Sequence, residues 1–206
     1  MRAPDYWAQA TRDLAARDAV LRGLIERFRG LALASRGDAF MTLARSIVGQ
    51  QISVKAAQSV WDRLAGRLGG VTPELMMLSR KPTLRACGLS GQKAAYLKDL
   101  GSKFFDGTLD PTHWHALDDE ALIEELTRVK GIGRWTAEMF LMFHLARPDV
   151  LPLADLGLQR AMRLHYNGGR TLSPVRMRRI SATWAPWRSV ATWYLWRSLD
   201  PIPVEY

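Results

Sequence analysis

The chain has 206 residues, 48% of them hydrophobic, enough to bury a sizeable core as one compact unit or two small lobes without any added stabilising device. Lys and Arg number 29 against 20 Asp and Glu, and the formal charge of +9 suits a polyanion binder, although an arginine-rich proteome raises charge in the same way. No run nears the roughly 20 apolar residues of a membrane span, Met1-Arg-Ala-Pro-Asp-Tyr-Trp7 lacks the apolar core of a signal peptide, and the single Cys87 excludes both an internal disulfide and a four-thiolate iron–sulfur cluster, so a cytoplasmic protein is expected.

Along the chain helical periodicity dominates. Val20, Leu21, Leu24, Ile25 and Phe28 form an apolar stripe that ends at Gly30, and Asp38 then caps a stripe of Phe40, Leu43, Ala44, Ile47 and Val48. Ser53 caps the next helix, with Val54, Ala57, Val60, Trp61 and Leu64 on one face and Gly69-Gly70 as the stop. Thr72-Pro73 places proline at the favoured first helical position. A short helix ends in Leu84-Arg-Ala-Cys-Gly88, and Ser90 opens the one that carries Lys93, Tyr96 and Leu97. Asp118 caps a helix through Leu122, Leu126 and Val129, and another follows with Thr136, Ala137, Phe140, Leu141 and His144 on one face. Asp155 stands at the entrance of a helix over 156–164, Asn167-Gly168-Gly169 breaks it, and Ser173-Pro174 begins the next. Strand alternation is scarce and there is no internal repeat, so the fold class is all-α.

Gly131-Ile132-Gly133 links the two helices on either side of it. Two glycines around one apolar residue let the chain turn tightly and expose several backbone N–H groups, a nest suited to a phosphate oxygen, with the positive end of the second helix beside it. An ordinary helix–helix turn is the plain alternative. The longer string Val129-Lys-Gly-Ile-Gly-Arg-Trp-Thr-Ala137 is far more specific than a bare Gly-x-Gly. The four histidines, His113, His115, His144 and His165, have neither cysteine partners nor a metal-binding spacing and read as structural or surface residues.

Four separated strings resemble the helix-hairpin-helix (HhH-GPD) DNA glycosylase superfamily, and within it the AlkA-type 3-methyladenine DNA glycosylase II branch. They are Ile47-Val-Gly-Gln-Gln-Ile-Ser-Val54, Gly88-Leu-Ser-Gly-Gln-Lys-Ala-Ala-Tyr-Leu97, the hairpin 126–140 with the later Asp155, and Pro186-Trp-Arg-Ser-Val-Ala-Thr-Trp-Tyr-Leu-Trp196. The resemblance implies a two-lobed helical fold with the active cleft between the lobes and no iron–sulfur cluster. One lobe is formed by 1–34 with 147–206; the other, 35–146, ends in the hairpin. The crossings are expected in the weakly patterned segment from Gly30 to Gly37, around Ser35-Arg36, and near Arg147-Pro148.

The same resemblance assigns the chemistry. Asp155 matches the catalytic aspartate, which stabilises the oxocarbenium-like sugar and guides water to the anomeric carbon; capping a helix is its plain alternative, and both roles can coexist. Ala154 stands where many relatives have a second acid. Trp135 occupies the position at which bifunctional members carry a nucleophilic lysine, so a monofunctional enzyme that leaves an abasic site is expected. Trp135 and Trp196 match aromatic walls of a pocket for cationic alkylated purines such as 3-methyladenine and 7-methylguanine. Met139 and Leu156 replace tyrosines there, and Trp187 reads as packing. Gln51 falls at the intercalating wedge and Gln50 would face the flipped base; a helix-terminal polar pair is the plain alternative for the two. Gly131, Ile132, Gly133, Arg134 and Thr136, with Lys130, would contact the DNA backbone, and Ser90 with Lys93 a second phosphate. No cofactor is required; one sodium or potassium ion on the carbonyls of Thr127, Val129 and Ile132 is implied. The expected partner is double-stranded DNA with alkylated bases, bound by a monomer in base excision repair. The alternatives are a glycosylase for deaminated or mismatched bases and a non-catalytic DNA-binding protein.

Overall fold

The computed structural model describes residues 3–33 and 37–199, and all regular structure among them is helical. The expected crossing at Ser35-Arg36 lies outside the described residues. The chain divides into two compact units, Met1–Ser35 with Leu141–Tyr206 and Arg36–Phe140. Among the described residues no helix is long and apolar enough to cross a membrane, and no group of three or more His, Cys, Asp or Glu could hold a metal ion.

The unit made from the chain ends contains α1 (Trp7–Arg17), α2 (Ala19–Arg27), α10 (Leu156–Asn167), α11 (Pro174–Ala182) and α12 (Arg188–Leu199). Its core is Leu14, Leu21 and Leu24 packed with Leu158, Met162 and a cluster of aromatic side chains. Trp7 meets Trp193 edge-on at 5.2 Å, and Trp193 meets Tyr194 the same way at 4.9 Å. Trp187 packs as expected, stacked on Tyr6 at 5.7 Å with its indole N–H donated to Asp13 at 2.9 Å. Only Trp7, Ala10 and Leu14 are buried on α1, whose remaining residues are alanine, polar or charged, so its stripe is a weak one. Its partner surface comes from α2 and from α12, far away in sequence.

Asp18 separates α1 from α2 and ties them to the C-terminal helices. One oxygen accepts the N–H groups of Val20 and Leu21 at 2.9 and 3.0 Å, capping α2. The other accepts the Tyr166 hydroxyl at 2.8 Å and the Trp184 indole N–H at 3.1 Å. Burial first, and then the Asp18 charge, raise the Tyr166 pKa well above the ordinary phenol value. Asp18→Ala removes a cap and leaves two interior donors without their acceptor, so unfolding in urea should show a loss of about 3 kcal/mol. A loss near zero would contradict this account of the unit.

The second unit runs through α3 (Ala39–Gly49), α4 (Val54–Leu68), α5 (Pro73–Leu78), α6 (Lys81–Ala86), α7 (Gly91–Phe105), a single 3-10 turn (Trp114–Ala116), α8 (Asp119–Thr127) and the start of α9 (Arg134–Phe143). The side chains of Asp38, Ser53, Thr72, Ser90 and Asp118 each accept a first-turn N–H at the start of the helix the sequence assigns to them. Gly69 ends α4 in the left-handed conformation, φ 74°. Phe40, Phe104, Trp114 and Phe140 form a chain of edge-to-face contacts at 5.3, 6.0 and 5.4 Å. Trp114 is fully buried, and its indole N–H reaches Glu125 at 2.7 Å, which satisfies the one polar atom that its burial removes from water. α7 packs along α5 and α3.

Candidate active site and nucleic-acid interface

Asp155 sits at the N-cap of α10 in extended backbone, and its Oδ1 accepts the Leu158 N–H at 2.6 Å. The same oxygen accepts the Trp196 indole N–H, from α12, at 2.7 Å. Trp196 in turn lies stacked on Phe143, ring centroids 5.9 Å apart and 14° from parallel. Two N–H donors and an aromatic stack therefore fix the orientation of one partly buried carboxylate. Capping and presentation of the charge are the same geometry. Leu156, beside it, is 76% exposed.

Gly157 is a residue that pattern reading passes over. A Cβ at this position would stand 3.1 Å from Asp155 Oδ1 and 3.2 Å from the Trp196 Cδ1 and Nε1 atoms, so the carboxylate or the indole would have to give by a few tenths of an ångström. Its signal in the sequence is a glycine inside the first turn of a helix, where helix propensity disfavours it. Gly157→Ala should preserve or slightly raise stability while lowering the turnover of any reaction that uses Asp155 by about tenfold, because misplacing a reacting group by a fraction of an ångström is enough. Thermal melting and single-turnover rates on the same preparation check both halves.

In the other unit the hairpin is built as the glycines require. Gly131 has φ 86°, Ile132 is buried and its N–H closes a turn on the Val129 carbonyl at 3.1 Å, and α9 begins at Arg134. Any side chain at position 131 would run into the ring of Tyr96, which lies directly on the glycine. The Lys130 N–H donates to Asp99 Oδ2 at 2.9 Å. Burial works against the Asp99 carboxylate, yet the Lys130 N–H and the adjacent Lys103 hold its pKa below the ordinary value. Gly133, Arg134 and Trp135 form an exposed run at the head of α9, with Trp135 at 41% exposure.

Residues 44–186 match the model of the HhH-GPD superfamily of base excision DNA repair proteins. The chain belongs to that superfamily. It is 33% identical over 173 residues to DNA-3-methyladenine glycosylase 1 of Schizosaccharomyces pombe, an alignment covering 82% of this chain and 75% of that protein. Among solved structures it is similar to the DNA-3-methyladenine glycosidase of Bacillus halodurans, with a TM-score of 0.89 and 35% identity over 97% of this chain and 93% of that one. It is also similar to the Schizosaccharomyces pombe 3-methyladenine DNA glycosylase in complex with abasic DNA, with a TM-score of 0.79 and 30% identity over 96% and 98% of the two chains. The chain spans 66% and 51% of the length of two further curated relatives.

Within this HhH-GPD chain several side chains stand differently from the sequence expectation. Lys93, expected on a phosphate, turns its ammonium inward to the carbonyls of Val48 and Gln50 at the end of α3, the pole of a helix that attracts cations. Ser90 uses its hydroxyl oxygen to cap α7 through the Lys93 N–H at 3.1 Å. Gln50, expected to face a flipped base, donates its amide N–H to the Gly131 carbonyl at 2.7 Å. Arg134 is held by Glu120 through both terminal nitrogens, at 2.8 and 2.5 Å, and by Glu138 at 3.0 Å. These contacts, the Glu120 bond foremost, raise its pKa further above an already high value. Thr136, expected at the DNA backbone, and Met139, expected in the base pocket, are both buried. Trp196, expected as a wall for a base, donates its indole N–H to Asp155 and stacks on Phe143. Gln51 is exposed in the left-handed region at φ 57°, beside a 40% exposed Ile52. The Val129 carbonyl, one of the three implied for a cation, already accepts the Ile132 N–H.

Proposed function

We propose that this chain is a monofunctional DNA glycosylase that hydrolyses the N-glycosidic bond of alkylated purines in duplex DNA and leaves an abasic site, the first step of base excision repair. The observation that carries this reading is the Asp155 carboxylate held by the Leu158 and Trp196 N–H groups in a member of the HhH-GPD superfamily. Relatives named for 3-methyladenine excision supply the substrate class.

An alkylated purine of this type carries a positive charge on its ring, so when the bond to the sugar breaks the bonding electrons neutralise the base. The charge then resides on the sugar. A fixed carboxylate stabilises that cation and orients the water that attacks the anomeric carbon, with a proton released to solvent. Trp135 has no amine and cannot form a Schiff base with the sugar, which supports hydrolysis without strand cleavage. Its exposed indole offers a π face to a cationic base. The hairpin 131–137 grips the duplex through backbone N–H groups. No cofactor is needed for these steps; a sodium or potassium ion on the carbonyls of Thr127, Val129 and Ile132 would supply added positive charge for a phosphate.

The test is a competition between two duplexes of one sequence, one carrying 7-methylguanine and the other uracil, with the released base and strand integrity both followed. Release of the methylated base with intact strands, and no trapped adduct on borohydride treatment, is expected. Preferential release of uracil, or borohydride trapping of the protein on DNA, overturns the assignment.

A further inference from the structure

A short stretch of α7 holds two functional segments at once. Lys93 and Tyr96 stand one turn apart on the same face of the helix. The Lys93 ammonium donates to the Val48 carbonyl at 2.8 Å and the Gln50 carbonyl at 2.6 Å, acceptors at the end of α3, where the helix has no donors of its own to offer. The Gln50 side chain leaves the same residue in the other direction and donates to the Gly131 carbonyl at 2.7 Å, while the Tyr96 ring covers Gly131 itself. Between these anchors Gln51 holds φ 57°, a conformation that residues with a side chain keep only where their surroundings impose it. Outside the anchors, Gln51 and Ile52 are exposed. The loop is thus pinned from within and presents one polar and one apolar side chain outward. Burial lowers the Lys93 pKa, in keeping with an ammonium that faces the protein.

We propose that Lys93 is a positioning residue for the loop 50–52: its ammonium fixes the left-handed turn at Gln51 and, through Gln50, sets that turn in register with the hairpin, so that the side chains that fill the space of an everted nucleotide are ordered before DNA arrives. Pre-ordering removes an entropy loss from the binding step. The DNA half of this inference rests on the glycosylase reading above; the pinning of the loop does not.

Two measurements on Lys93→Met in the full chain test it. Hydrogen exchange of the free protein should show the Gln51 and Ile52 amides opening about tenfold faster than in the parent, with α1 and α2 unchanged, since two charge-assisted bonds are lost locally. Excision of 7-methylguanine should fall about tenfold in kcat/KM when the lesion is paired, and less than about threefold when it faces an abasic gap and is already unstacked. Lys93→Arg keeps a cation and should recover most of both. Unchanged exchange at Gln51 and Ile52, or equal losses on the two substrates, overturns the positioning role. If the parent excises nothing, the glycosylase reading fails and the exchange arm alone decides the fate of Lys93. Should Lys93→Met not fold, Gln50→Met keeps both Lys93 bonds and deletes the one to Gly131, and equal losses on the two substrates then overturn the register of the loop with the hairpin.

Discussion

Asp155→Asn should leave the chain folded and bound to DNA while lowering excision of 7-methylguanine by about a thousandfold, roughly 4 kcal/mol of transition-state stabilisation. Asparagine is as good an N-cap as aspartate. Its amide oxygen can still accept the Leu158 and Trp196 N–H groups that the native Oδ1 accepts at 2.6 and 2.7 Å. The negative charge is removed while the oxygen that caps the helix is kept, so the variant separates the electrostatic role from the capping role. Single-turnover base release, anisotropy with a fluorescent duplex and urea unfolding together give the answer. Activity within tenfold of the parent, with normal binding and stability, would show that the carboxylate caps a helix and does nothing more.

Trp196→Phe isolates the donor that aims the carboxylate. Phenylalanine retains an aromatic face for the stack on Phe143 and loses the indole N–H to Asp155. Residues that orient a reacting group through a hydrogen bond typically matter by about 10- to 100-fold when the bond is deleted. The loss should fall on kcat, with KM little changed, because the interaction matters most as charge develops on the sugar. If Trp196 were chiefly a stacking wall for the damaged base, the outcome would be different: phenylalanine would keep a comparable kcat, raise KM and reorder the preference among methylated purines. Combining this change with Gly157→Ala should give less than the sum of the two effects, since both act on one contact.

Much of the helical framework was legible in the sequence because its signals are local. Asp38, Ser53, Thr72, Ser90, Asp118, Asp155 and Ser173 were readable as caps, and each accepts an N–H from the first turn that follows it. The stop at Gly168 is of the same kind, though α10 runs on to Asn167 rather than ending at Leu164, since the helix continues until a residue adopts φ 57°. α1 was not legible. Its three buried residues acquire meaning only from the surface they meet, and part of that surface is α12.

At the candidate site the division follows from the difference between carrying a polar group and having a partner for it. Residue types and spacing by themselves determined an all-helical chain with a glycine hairpin and Asp155 at the head of a helix; that the Trp135 indole stands where bifunctional members carry a lysine is what the family resemblance adds. Only the tertiary structure decided where the donors go. Lys93 closes on α3, Gln50 on the hairpin, Arg134 on two glutamates and Trp196 on Asp155. A side chain's hydrogen-bond capacity is written in its chemistry, but its acceptor is whichever oxygen the packed chain brings within about 3 Å, and that is settled by contacts between residues as far apart in sequence as Gln50 from Gly131 and Asp155 from Trp196.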